Sequence, residues 1–406
     1  MSTRPEPERP RLSPWRFVVT FGVVSLLVDV VYEGARSVAG PFLGSLGASA
    51  LMIGAITGAG EATALILRVV SGPAADRSRR YWAWVIAGYV ITVVAVPALA
   101  LPVGLFGASA LIIMERVGKA VRSPAKDALI ANAGSSTGRG KAFAVHEALD
   151  QAGAFIGPLV VAAALAATGG YRLGFGVLAV PGLMAVVILV WLARRVPNPA
   201  VYEERTADIQ AGDAPAAKLP PAFWRYAVFT SLTMAGYATF GLIGYHLSSR
   251  ELVPAAAVPL IYALAMGTDA LAALITGHMY DRYGFRVLTV LPFLAGLGTM
   301  LAFSGTATVA IFGVVVWGMA MGVQESTLRA GVADLVPAAR RASAYGVFAA
   351  AYGGAWFVGS TVLGYLYGRT PTGLIVACLV MQLSALLVLL ATRSSTPRSE
   401  LRSQYS

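Results

Sequence analysis

Asp29, Glu33 and Arg36 lie four and three residues apart in a run that is otherwise largely apolar from Trp15 to Ser45. Read as a helix, that spacing puts all three on one face. Two carboxyls in low-dielectric surroundings cannot both keep their charge cheaply, so such a pair can exchange a proton or hold a cation. An ion pair between Glu33 and Arg36 is the structural alternative. Tyr32 is adjacent but is expected to face elsewhere and to pack. A second stripe holds Glu115, Lys119, Arg122 and Lys126, with Arg116 beside it. Glu115 precedes Lys119 by four, the favourable order for an intrahelical pair. Arg116 and Lys119 would balance the acids of the first stripe or contact an anionic group, while Lys126 would snorkel to the interface. A third stripe joins His146, Asp150, Gly153 and Gly157. Asp150 fits either a relay acid or an ion-pair partner of the second stripe, and His146 is expected near the interface. The glycines would let a neighbouring helix approach closely.

These charges must be positioned by membrane helices. A bilayer core requires about 20 apolar residues per spanning helix, and a charge inside one marks a functional site by default. The 406 residues are 57% hydrophobic and 13% charged, with a mean hydropathy of +0.70, which excludes an ordinary soluble domain. Apolar runs suggest spans at 15–45, 50–74, 82–103, 107–131, 141–167, 173–194, 223–248, 255–279, 287–304, 308–333, 343–366 and 371–391. The runs are continuous rather than alternating, which excludes a lipid-facing barrel. The expected fold is therefore an all-α membrane protein of twelve transmembrane helices, arranged as two six-helix repeats around a central cavity. Its parts are a tail at 1–14, a six-helix bundle at 15–195, a linker at 196–221, a second bundle at 222–392 and a tail at 393–406. The first apolar run is too long and too acidic for a cleavable signal.

The net charge of +11 is distributed as a topology signal rather than as a nucleic-acid surface. Arg4, Arg9, Arg11 and Arg16 precede the first span, Arg77, Arg79 and Arg80 follow the second, and Arg139 and Lys141 follow the fourth. Arg282 and Arg286, then Arg340 and Arg341, occupy the matching loops of the second half, and Arg393, Arg398 and Arg402 close the chain. The positive-inside rule then puts both termini in the cytoplasm, in an inner membrane. The lone Cys378 permits no intramolecular disulfide. His146, His246 and His278 fall in different segments, so no metal site is expected, and no nucleotide-binding loop or other cofactor motif is present.

The two halves repeat. Gly72 to Arg77 after span two matches Gly277 to Arg282 after span eight, with Asp76 and Asp281 aligned. Arg122 and Asp127 match Arg329 and Asp334, and Arg139, Phe143 and Gly157 match Arg341, Tyr345 and Gly359. Six spans per half make the repeats parallel, an arrangement that suits rocking of one half against the other. On these residues the chain resembles the major facilitator superfamily over essentially its whole length. Gly72, Asp76, Arg77 and Arg80 look like that family's loop 2–3 motif, with Arg79 where the family has glycine; the second copy keeps its glycine as Gly284. Arg116 falls at the family's helix-four arginine, with Lys119 in place of the usual glutamine. Gly153 to Pro158 resembles the motif associated with antiporters, and the stretch from Arg116 to Ile130 resembles an exporter-type bacterial subgroup. The resemblance implies a gate at Asp76 and Asp281, with Arg77, Arg80 and Arg282 beside them.

The second half is poorer in intramembrane charge. Asp269 is mid-span, and Gln324, Glu325 and Arg329 lie together, where Glu325 and Arg329 can pair or Glu325 can serve the cavity. Tyr237, Tyr245, Tyr262, Trp317 and Trp356 are candidates to line an apolar cavity. The reading that follows is a proton-coupled exporter of a small amphipathic or cationic compound, working as a monomer among membrane lipids with no obligatory protein partner. The alternatives are a symporter of an organic anion using Arg116, Lys119 and Arg122, a divalent-metal transporter, and a non-transporting membrane sensor. Catalysis is not expected, because no Ser/His or metal-ligand cluster stands out.

Overall fold

The computed structural model describes residues 12–135, 138–197, 219–337 and 340–394. Most of the two tails and of the linker fall outside these residues, as do Arg4, Arg9, Arg11, Arg398 and Arg402. The described residues group into twelve helical segments, consistent with the twelve expected spans. These are α1 (Pro14–Ser45), α2 (Ala50–Ser78, with a break at Leu67), α3 (Tyr81–Ala98), α4 (Leu105–Gly134), α5 (Arg139–Thr168) and α6 (Tyr171–Arg195, with a break at Leu178). The second six are α7 (Pro221–Ser249), α8 (Ala257–Tyr283), α9 (Val290–Ala302), α10 (Ala307–Leu335), α11 (Arg341–Arg369) and α12 (Pro371–Ser394). Ten segments are long and apolar enough to cross a membrane. One of them holds both α8 and α9, joined by the 3-10 turn Gly284–Thr289, and α4 falls outside the ten although it runs for 30 residues. Its apolar character is interrupted by the charged stripe described above.

Helices pack into two compact units whose border follows contact rather than chain order. One unit holds α1 up to Arg36 together with the chain from Leu67 through α6, and the other holds Ser37–Ile66 with α7 to α12. In the first unit, a Cβ on Gly153 would sit against the carbonyl oxygen of Leu26 and 2.9 Å from Cβ of Asp29; one on Gly157 would meet the carbonyl of Val30. The missing side chains thus bring α5 against the face of α1 that carries its charges, and Pro158 lies buried on the same stretch. In the second unit, Gly359 of α11 meets Ala235 of α7 in the same manner. The aligned glycines of the two sequence halves therefore do matching work.

Two features depart from the sequence expectation. The loop 2–3 motif is helical rather than a loop: Gly72, Asp76 and Arg77 lie in the last turns of α2, and Asp281 and Arg282 end α8. Both helices stop on a positive φ, +52° at Arg79 and +56° at Gly284. Cβ sterics disfavour that region for a side-chain-bearing residue by about 1–2 kcal/mol. Arg79→Gly is therefore expected to stabilise the protein by about 1 kcal/mol, visible as a higher thermal midpoint in detergent; an unchanged or lower midpoint would refute the strain.

The second departure is in α7, which breaks between Ala235 and Phe240 while fully buried. Buried carbonyls freed by a break must find donors. Trp356 Nε1 donates to the Tyr237 carbonyl at 3.1 Å and Trp317 Nε1 to that of Ala238 at 2.8 Å. Cys378 Sγ reaches the Gly236 carbonyl at 2.9 Å, and Gln382 Nε2 the Thr233 carbonyl at 2.9 Å. Tyr237 stacks on Trp317 with ring centroids 5.3 Å apart. Tyr237, Tyr262, Trp317 and Trp356 are all buried. They form a satisfied core around the break instead of lining a cavity, whereas Tyr245 stays half-buried against Gly44.

Candidate functional site

The charges converge inside the first unit. Close approach of α3 and α4 at Gly88 and Gly118 sets Arg122 against α3, where its Nη1 donates to Thr92 Oγ1 at 2.8 Å and its guanidinium lies 4.9 Å from the Tyr89 ring centroid. One turn and a half earlier on α4, Arg116 is 6% exposed. Its Nε pairs with Glu115 at 3.2 Å and its Nη1 donates to Tyr32 Oη at 2.8 Å. Arg36 pairs with Glu33 at 3.5 Å and also donates to Tyr32 Oη, at 3.1 Å. Lys119 Nζ stands 4.0 Å from the centroid of the same ring.

Tyr32 is therefore the hub of the site, and the expectation that it merely packs is overturned. The signal was present: Tyr32 is three residues after Asp29 and four before Arg36, on the stripe that also includes Ser25. The expected Glu115–Lys119 pair does not form, because Lys119 turns to the Tyr32 ring and Glu115 to Arg116. Lys126 does not snorkel either; it points inward to Asp150 Oδ2, 3.5 Å away. A cation held at a carboxylate inside the unit keeps a partner that the interface would not supply.

His146 is 3% exposed, buried within the unit. Its Nε2 shares a 2.7 Å hydrogen bond with Ser25 Oγ, which bonds in turn to Tyr89 Oη at 3.1 Å. Its Nδ1 faces Asp150 Oδ2 at 3.8 Å. Ser25, Tyr89 and Thr92 are thus site residues that carry no sequence signal stronger than their place on polar stripes. Asp150 Oδ1 is buried with no hydrogen-bond partner among the described residues. His146, Glu147 and Asp150 offer ligand atoms within 4.8 Å of one another, a grouping within one helix that the spread of the histidines over different segments does not reveal. Lys126 already occupies its carboxylate, and we assign no metal to it.

Asp29 differs from every other acid here. It is half-buried. It has no hydrogen bond and no ion pair within 4.0 Å among the described residues, while Asp150, Lys119, Glu33 and Lys126 are the charges acting on it. The remaining predicted residues make none of the contacts given above for this cluster. Asp76 is exposed and accepts from Tyr81 Oη at 3.2 Å, with Arg77 and Arg80 exposed nearby. Asp281 and Arg282 are exposed at the end of α8, where Arg282 lies 5.4 Å from the Tyr283 ring centroid. In the second unit Glu325 and Arg329 are exposed on α10, whereas Asp269 is 2% exposed on α8.

A family model described as Major Facilitator Superfamily matches residues 23–360 and 250–404. The chain belongs to the Major Facilitator Superfamily. An uncharacterized protein of Mycobacterium tuberculosis is 55% identical over 387 residues, covering 95% of each chain. An uncharacterized MFS-type transporter of Methanocaldococcus jannaschii is 26% identical over 366 residues, covering 87% of this chain and 89% of its own. Among solved structures, a mutant of the nucleoside transporter NupG superposes with a TM-score of 0.74 at 15% identity, covering 93% of this chain and 99% of that one. That likeness shows the fold. Superfamily membership and fold make this a multi-pass membrane protein of transporter type.

Proposed function

We propose that this superfamily member is a proton-coupled secondary transporter that exports a small amphipathic or cationic compound by alternating access. The observation that carries the reading is Asp29, the one carboxyl of this charge cluster that, among the described residues, no cation claims at ion-pair distance. A carboxyl of that kind can alternate between a proton and a cationic group. Deprotonated Asp29 would hold the compound; a proton arriving from the far side would displace it. Glu33, already paired with Arg36, and Asp150, paired with Lys126, would fix the field in which Asp29 titrates. Gly153 and Gly157 hold α5 against α1, so a change of charge at Asp29 is felt at the α1–α5 contact. Gly72, Asp76, Arg77 and Arg80, with Asp281 and Arg282 in the second copy, would gate the cytoplasmic end. Charge distribution supports an inner-membrane location with both termini in the cytoplasm.

Inverted membrane vesicles energised by respiration test this. A panel of lipophilic cations should be taken up against its gradient, and a protonophore should abolish the accumulation. Accumulation that survives the protonophore would refute proton coupling, and binding without any flux would favour a sensor.

A further inference from the structure

We propose that Tyr32 and Lys119 form an anion subsite that takes a carboxylate of the transported compound. With Asp29 beside it for a cationic group, the compound is a zwitterion. The assignment rests on the transport reading for the word transported, and its test reads binding alone.

Three observations carry it. First, the hub is overcharged. Arg36, Arg116 and Lys119 all converge on one phenol, and only Arg36 and Arg116 have a carboxylate at ion-pair distance, Glu33 at 3.5 Å and Glu115 at 3.2 Å. Lys119 has none; its ammonium has only the Tyr32 ring, 4.0 Å away, as a direct contact among the described residues. A cation inside a membrane protein without a counter-charge is costly, and an arriving anion lowers that cost. Second, the Tyr32 hydroxyl is saturated as an acceptor and idle as a donor. Its oxygen takes hydrogen bonds from Arg116 at 2.8 Å and Arg36 at 3.1 Å, and its own hydrogen meets no acceptor among the described residues. Tyr32 is 2% exposed, so water is largely excluded from it. A carboxylate oxygen would accept that hydrogen while lying against Lys119 Nζ, and charge-assisted bonds of this kind are the strong ones. Third, Asp29 and Lys119 act on one another electrostatically, yet Asp29 stays beyond ion-pair distance. When Asp29 carries a proton or a cationic group, nothing balances Lys119, and the affinity of the subsite for an anion rises. The two charges of a zwitterion thus meet two side chains of opposite sign, each without a close counter-charge of its own.

The test uses the full-length protein in detergent and two probes of one shape: benzoate and benzamide. Calorimetric titration and thermal shift should give saturable benzoate binding and none with benzamide. Lys119→Met should weaken benzoate by about 30-fold or more, as expected when one partner of a buried charge pair is truncated. Lys119→Arg should largely retain it. Tyr32→Phe keeps the ring but loses the donor, and should weaken benzoate by about 5- to 10-fold. Asp29→Asn should bind benzoate as well as wild type or better, because a competing negative charge is gone. Benzoate binding no better than benzamide would overturn the subsite, as would wild-type affinity in Lys119→Met or loss of affinity in Asp29→Asn. If Lys119→Met does not fold, Tyr32→Phe and the benzamide comparison decide. Failure of proton coupling in transport would leave these binding results standing, so the two readings fail separately.

Discussion

Asp29→Asn is expected to fold, reach the membrane at wild-type level and lose concentrative transport altogether, since an ionisable residue within a membrane helix marks the ion pathway. Folding should survive because Asp29 makes no hydrogen bond or close ion pair that asparagine would break, and the two side chains are nearly isosteric. Transport should not survive, because an amide neither takes up a proton nor holds a cation by charge. The comparison with Glu33→Gln makes the prediction specific. Glu33 is paired with Arg36 at 3.5 Å, so its replacement should lower stability while leaving some gradient-driven transport. Uptake in energised vesicles, normalised to protein in the membrane, checks both. Full accumulation by a normally folded Asp29→Asn would end the coupling assignment.

Arg116→Ala is expected to have the largest effect on stability. Arg116 is the cation shared by Glu115 and the Tyr32 hydroxyl, at 3.2 and 2.8 Å, in a position 6% exposed. Removing it leaves a buried carboxylate and a phenol short of a donor. Breaking a buried pair from one side costs about 3–5 kcal/mol, mostly through the charge left behind. The double variant Arg116→Ala with Glu115→Gln removes that charge and should recover at least about half of the loss. Thermal unfolding of the purified variants in detergent measures both. Equal destabilisation in the single and double variants would show that the stranded carboxylate is not the cause.

Much of this architecture is legible in the sequence, because the bilayer imposes length and hydropathy on every span. The α4 helix was recognisable despite its charges, since Leu105–Gly134 keeps apolar residues around them. The glycines of α5 were legible as a close-packing stripe, and the structure supplies their neighbour, α1. What was not legible depends on rotation and on contacts between distant segments. Helical spacing allows Glu115 to pair with Lys119, but the chain pairs it with Arg116, since the Tyr32 ring from α1 captures Lys119. Depth along α5 does not reveal the partner of His146, whose ring is turned to Ser25 of α1. Trp317 of α10 and Trp356 of α11 read as cavity lining because sequence does not reveal that α7 breaks at Gly236 and requires their indole N–H groups. At Arg79, the helix turns as a glycine would let it, although the residue is not glycine.

The most direct test of the account is proton movement in sealed proteoliposomes of the purified protein, loaded with a pH-sensitive dye and challenged with lipophilic cations and zwitterions. A compound that binds the wild type should trigger proton counterflow, and the same compound should trigger none with Asp29→Asn. Substrate flux without proton movement, or proton counterflow undiminished in Asp29→Asn, would contradict it.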